Sequence, residues 1–126
     1  MADLDSEVCS KAFRARNGEF AWRREHVELA LDAIQKSHLA ILGWEVWLVI
    51  GDQWTGLIPS IRQEPDGVWS FDTSPRRSGE DWLAYCTRTV EETRNQIKSQ
   101  PVEAESSPRV RDRLRFNFTY VDVSDR

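Results

Sequence analysis

From Phe20 to Lys36 the apolar residues Val27, Ala30, Leu31 and Ile34 recur at helical spacing, with Arg23, Arg24, Glu28 and Asp32 on the other sides. An amphipathic helix is expected there. After the short apolar run Leu39 to Leu42, ended by Gly43, the residues Trp44 to Ile50 are β-branched and aromatic and close on Gly51–Asp52. That composition and length predict a strand. Side chains alternate across a strand, so Trp44, Val46, Leu48 and Ile50 should face one way and Glu45, Trp47 and Val49 the other. Both faces are partly apolar, which places this strand centrally or reserves one face for contact.

Leu57 to Ile61 resembles a further strand, held to an edge or a bulge by Pro59. Pro65–Asp66–Gly67 is a turn signal, and Val68 to Thr73 follows as a strand with Trp69 and Phe71 on one face. Ser78-x-x-Asp81 has the spacing of a capping box, so a helix is expected from near Glu80 to near Ser99, before Pro101. It would turn Trp82, Cys86, Thr89, Val90, Thr93 and Ile97 inward and leave Arg88 and Glu92 as an exposed i,i+4 pair. Leu114, Phe116, Phe118 and Tyr120 then alternate with Arg115, Asn117, Thr119 and Val121, which predicts a last, half-buried strand.

Two segments lack a firm period. Residues 1–18 read as an N-terminal arm or short helix, and residues 100–109, with two prolines, as a mobile loop. The order predicts a single α+β domain over residues 1–126, with a mainly antiparallel sheet of four to five strands and two long helices packed on one face.

Composition narrows the function classes. A chain of 126 residues has the length of one domain, and its 6 Trp and 5 Phe supply enough apolar area for a core. The net charge of −4 disfavours nucleic acid and anionic lipid as partners and suits a basic protein. No apolar run approaches a bilayer span, and the Met1 end, with Asp3, Asp5 and Glu7, lacks the features of a signal peptide. A cytoplasmic protein without membrane contact is expected. Cys9 and Cys86 stand far apart, outside any CxxC or metal-like spacing, and read as free thiols.

No constellation for catalysis emerges. His26 and His38, if both on one helix, would sit roughly 18 Å apart along its axis and about 120° apart around it, too far to act as a pair. No short segment joins His and Cys as metal ligands, and Gly51, Gly56 and Gly67 lack the pattern of a phosphate loop, so neither metal nor cofactor is expected. Glu45, Asp52, Glu64, Asp66 and Asp72 form a loose acidic set, which reads better as solvated turn carboxylates than as a Mg²⁺ site. Arg109, Arg111, Arg113 and Arg115 alternate at strand period, a pattern that guards an edge against aggregation.

The strongest positive signal is the set Trp44, Trp47, Trp54 and Trp69. Rigid aromatic rings are favoured where proteins bind proteins. The expected function is therefore binding rather than catalysis, through Trp47 and Trp54 with the neighbouring acids Asp52, Glu64 and Asp66. A monomer or homodimer is expected, and the alternatives are a non-enzymatic interaction or adaptor protein that pairs with itself as a homo-oligomer, and a small nuclease or hydrolase using the acidic set with Arg76 and Arg77.

His38-Leu39-Ala40-Ile41-Leu42-Gly43, the strand Trp44-Glu45-Val46-Trp47, the pair Val68-Trp69 and Gly79-Glu80-Asp81-Trp82 together resemble the immunity protein 40 family of bacterial polymorphic toxin systems. The resemblance spans residues 22–99. It implies a small cytoplasmic protein that binds a cognate toxin and blocks it, with no cofactor.

Overall fold

A computed structural model of the chain describes residues 4–125. Its centre is β3, Ala40–Ile50, the longest strand of a six-stranded sheet. Along one edge β3 pairs with β6, Leu114–Val121, over almost its whole length. The other edge is divided: β5, Ser70–Asp72, takes the first half and β4, Gln53–Thr55, the second. Beyond β6 lie β2, Phe20–Trp22, and β1, Phe13–Arg14. Every pairing is antiparallel. The α+β class, the antiparallel sheet and the two long helices are as expected; β1 and β2 come from segments expected as arm and helix.

The register explains the core. Trp44, Val46 and Leu48 stand opposite Phe118, Phe116 and Leu114, and Trp22 opposite Phe116, so these residues share one sheet face. Onto it pack Val27, Ala30, Leu31 and Ile34 of α2, Val27–Lys36, with Val90 and Ile97 of α3, Trp82–Ser99. The two indole N–H groups buried here find partners: Trp22 Nε1 donates to the Val8 carbonyl at 2.9 Å and Trp44 Nε1 to Gln96 Oε1 at 2.7 Å. Large rings can thus be buried without an orphaned donor. Val8 lies on α1, Ser6–Ser10, which Asp5 caps through the Glu7 amide. Residues 1–3 of the arm expected at 1–18 lie outside the described residues.

Several local expectations are corrected. The helix expected from Phe20 begins at Val27, after a 3₁₀ turn at Arg24–His26. Phe20–Trp22 is a strand, because pairing with β6 buries Ala21 and Trp22 completely and outweighs local helix propensity. Gly43 does not end a run but lies inside β3, beside a bulge in which Leu42 is the extra residue. A Cβ at Gly43 would stand 2.7 Å from the Phe71 carbonyl oxygen, so the close approach of β5 requires glycine. Thr89 Oγ1 accepts the Ile41 amide at 2.9 Å and Thr73 Oγ1 donates to the Ile41 carbonyl at 2.6 Å, which ties the bulge to α3 and the loop after β5.

Leu57–Ile61 forms no strand; only isolated bridges join Ile58 to Gly67 and Ser60 to Ser106. The cap of α3 is Asp81, whose carboxylate accepts the Leu83 and Ala84 amides, so Ser78 is not the cap and the helix starts at Trp82. Arg88 and Glu92 are not an exposed pair: Arg88 also binds Glu80 at 2.8 Å and the Ser74 and Pro75 carbonyls, and its side chain is only 16% exposed. Residues 100–109, expected as a mobile loop, contain the one-turn helix α4, Val102–Glu105, with Val102 and Ser106 buried. Arg109, Arg111 and Arg113 belong to a 3₁₀ helix, Pro108–Arg113, rather than to a strand, since Pro108 sets its first turn.

Candidate functional site

The second face of the sheet carries no helix in its core cluster, and the sheet curls over it. Trp47 and Val49 point to this side, where they gather with Ala15 and Ala21 in a small separate core. The curl brings Phe13 of β1, three strands away in the sheet order, edge-on to Trp47 with ring centroids 6.2 Å apart. The turn that makes this possible braces itself. The Ala15 amide donates to the Glu19 carbonyl at 2.8 Å, Asn17 Oδ1 accepts the Glu19 amide at 3.0 Å, and Gly18 takes φ 90°.

The β3–β4 hairpin supplies the other wall. Gly51 and Asp52 form its two-residue turn, and Gly51 alone has a positive φ, 64°, the pattern of a type II′ hairpin. Trp54 pairs with Val49 across the ladder and lies flat on Trp47, with ring centroids 3.9 Å apart and planes at 9°. Trp47 is fully buried and its Nε1 donates to Glu45 Oε1 at 3.0 Å; Trp54 remains 39% exposed. Between the two turns a hollow of about 380 Å³ is lined by Ala15, Arg16, Asn17, Asp52, Gln53 and Trp54. Arg16 and Asp52 face each other across it at 3.8 Å, an exposed and screened pair.

The residues expected to bind a partner are therefore divided. Asp52 and Trp54 meet at this hollow, with Trp47 beneath them as a support that no partner touches directly. Glu64 and Asp66 lie exposed on a different loop, which is fastened to the α4 region by Ile61 N to Glu105 O, Ser107 N to Pro59 O, and the Arg62–Glu105 ion pair at 2.6 Å. Phe13, Ala15, Arg16 and Asn17 were not anticipated at the site. Their only sequence signal is the Asn17–Gly18 turn between two aromatic segments.

Reactive groups are dispersed. His26 and His38 stand at opposite ends of α2. Cys86 is buried, which pushes its thiol up, and Cys9 is partly buried on α1. Glu45 is engaged with Trp47, Asp52 faces Arg16, and among the described residues no three His, Cys, Asp or Glu side chains are placed to hold a metal ion. Arg76, proposed beside the acidic set, lies over the Trp82 ring at 5.4 Å and donates to the Glu80 carbonyl.

The most perturbed acid is Glu80. The Arg88 guanidinium, followed by the Arg77 amide, lowers its pKa to about 2. Burial alone would raise Glu92, but the Ser74 amide and Arg88 hold it below the ordinary value. Every charged group in this knot has a partner, Arg88 serving both carboxylates and the Arg77 and Ser74 amides completing them, which fits a strut fixing the segment before α3.

The hollow presents a ring held rigid by stacking, with a cation and an anion at its rim. Among the described residues no helix is long and apolar enough to cross a membrane. The chain matches no model of a known protein family, no curated protein and no solved structure.

Proposed function

We propose that this chain is a cytoplasmic immunity-type protein of the immunity protein 40 family, which binds a cognate bacterial toxin and neutralises it without chemistry of its own. The observation that carries this reading is Trp54, half-exposed and stacked on the buried Trp47 at the rim of a charged hollow. A ring already fixed in place loses little conformational freedom when a partner covers it, and such anchors dominate binding energy at protein interfaces. Asp52 and the net charge of −4 suit a basic toxin domain and speed its encounter with this protein.

Co-expression with the toxin-like reading frame adjacent to the native gene tests the proposal. Growth should be restored by the wild-type protein and lost again with Trp54→Ala. Failure of the wild-type protein to protect against any such neighbour would overturn it.

A further inference from the structure

The hydrogen-bonding parity of β3 decides which way the backbone of β4 faces. The Val46 amide donates to the Trp69 carbonyl at 2.9 Å and the Leu42 carbonyl accepts the Thr73 amide at 3.0 Å, so the even-numbered residues of β3 turn their backbone groups towards the edge shared by β4 and β5. Val49, an odd position, turns away from that edge. Its register partner Trp54 therefore sits in a non-hydrogen-bonded pair and points its own N–H and C=O outwards. The two-residue turn at Gly51 and Asp52 requires the same parity, since the residues flanking it, Ile50 and Gln53, form the hydrogen-bonded pair. The strand order ends on β4, and among the described residues neither backbone group of Trp54 has a partner.

The other open edges are occupied or guarded. On β5 the outward carbonyl of Asp72 accepts Gln96 Nε2 at 3.1 Å. On β1 the bond from the Ala15 amide to Glu19 sets Phe13 and Ala15 as inward positions and leaves Arg14 facing outwards, a charged residue at the edge. At β4, in contrast, the open backbone and a half-exposed aromatic ring belong to the same residue. Trp54 is held flat on Trp47, and with Gln53 and Asp52 it forms one wall of the hollow whose other wall is Ala15, Arg16 and Asn17.

We propose that β4 receives an extended segment of a partner protein, which adds a strand to the sheet by hydrogen bonding to the Trp54 N–H and C=O; the inference rests on the reading that this chain works by binding another protein. In such a pair the partner residue opposite Trp54 exchanges both bonds with it and turns its side chain to the same face, beside the ring and over the hollow. An apolar residue there covers the ring. A basic residue two positions along the segment lies on the same face and reaches Asp52, whose ion pair with Arg16, exposed and 3.8 Å long, is weak. A second copy of this chain is a poorer occupant. β4 has 3 residues, so two copies joined edge to edge would bury little of the roughly 1,200–2,000 Å² of a stable interface, and each carries a net charge of −4. The same shortness keeps the edge from templating aggregation.

The test follows the backbone amides of the full chain by NMR during titration with a basic strand-forming peptide, acetyl-Lys-Thr-Val-Lys-Val-Thr-Lys-amide. A parallel titration uses its fully N-methylated twin, which keeps the charges and side chains but has no N–H along the strand. The first peptide should move the Trp54 amide downfield and slow its exchange with solvent. The twin should bind more weakly by about fivefold or more, because the bond to the Trp54 carbonyl is lost. An unmoved Trp54 amide, equal responses to the two peptides, or a larger response at Arg14 or Ser70 than at Trp54 would each overturn the proposal. So would a Trp54 amide that becomes protected in the free protein as its concentration rises, the sign of pairing between copies. No toxin enters this experiment, so its failure leaves growth protection standing, and failed protection leaves the strand response standing.

Discussion

Trp54 lies flat on Trp47, centroids 3.9 Å apart, yet the two rings have opposite relations to solvent: Trp47 is wholly buried and Trp54 is 39% exposed. On the proposed reading, stability and recognition therefore separate between them. Trp47→Ala should cost about 3–5 kcal/mol, as expected for deleting a buried tryptophan, a large share of a total near 5–15 kcal/mol. Trp54→Ala should cost about 1 kcal/mol, since much of its surface already meets water. Urea denaturation of both variants measures the difference.

His38 occupies a place that favours glycine. Its φ is 58°, its amide donates to the Gln35 carbonyl, and the Leu39 amide donates to the Ile34 carbonyl, together closing α2 with a Schellman motif. A side chain in the left-handed region carries a cost that glycine avoids. His38→Gly should stabilise the protein by about 0.5–1 kcal/mol, read as a rise in the denaturation midpoint. The Trp82 Nε1 bond to the residue-38 carbonyl is kept, because it uses only backbone.

At Gly43 the opposite holds. An added Cβ would meet the Phe71 carbonyl at 2.7 Å and Asp72 Oδ1 at 3.1 Å, and backbone cannot swing aside as a side chain can. Gly43→Ala should destabilise by about 1–3 kcal/mol and push β5 away from β3. Hydrogen exchange should then show faster exchange of the Val46 amide, which donates to the Trp69 carbonyl.

Acid should loosen the segment before α3. Glu80 has its pKa lowered from 4.5 to about 2 in the fold, so the unfolded chain binds the extra proton first as pH falls. The stability it supplies is complete above about pH 4.5 and is lost progressively towards pH 2. Glu80→Gln should lack this part of the acid dependence, which thermal melts across that range would show.

The elements that were legible in the sequence are those whose signal is local. Leu114, Phe116 and Phe118 alternate strictly, and Val27, Ala30, Leu31 and Ile34 keep one helical face, so β6 and most of α2 could be read directly. Short segments carry no such period. Phe20–Trp22 spans too few residues to distinguish strand from helix, and its state is decided by pairing with Asn117 and Phe116, far along the chain. Arg109, Arg111 and Arg113 fit strand spacing equally well over so short a stretch, and Pro108 tips them into a 3₁₀ turn.

The candidate site was half legible for the same reason. Asp52 and Trp54 follow from one hairpin, so their proximity is written in adjacent residues. The burial of Trp47 depends on Phe13 arriving through the curl of the sheet, and pattern along the strand shows only which side the ring takes. Glu64 and Asp66, close in sequence to Trp54, are carried elsewhere by hydrogen bonds of their loop to Glu105 and Ser107.

Calorimetric titration of the purified product of the adjacent toxin-like reading frame, inactivated by mutation, into wild-type protein and Trp54→Ala addresses the central proposal most directly. Tight one-to-one binding by the wild type should weaken by about thirtyfold or more in the variant, the loss of an interface anchor worth about 2 kcal/mol or more. Equal affinities for the two proteins, or no heat of binding to the wild type, would contradict it.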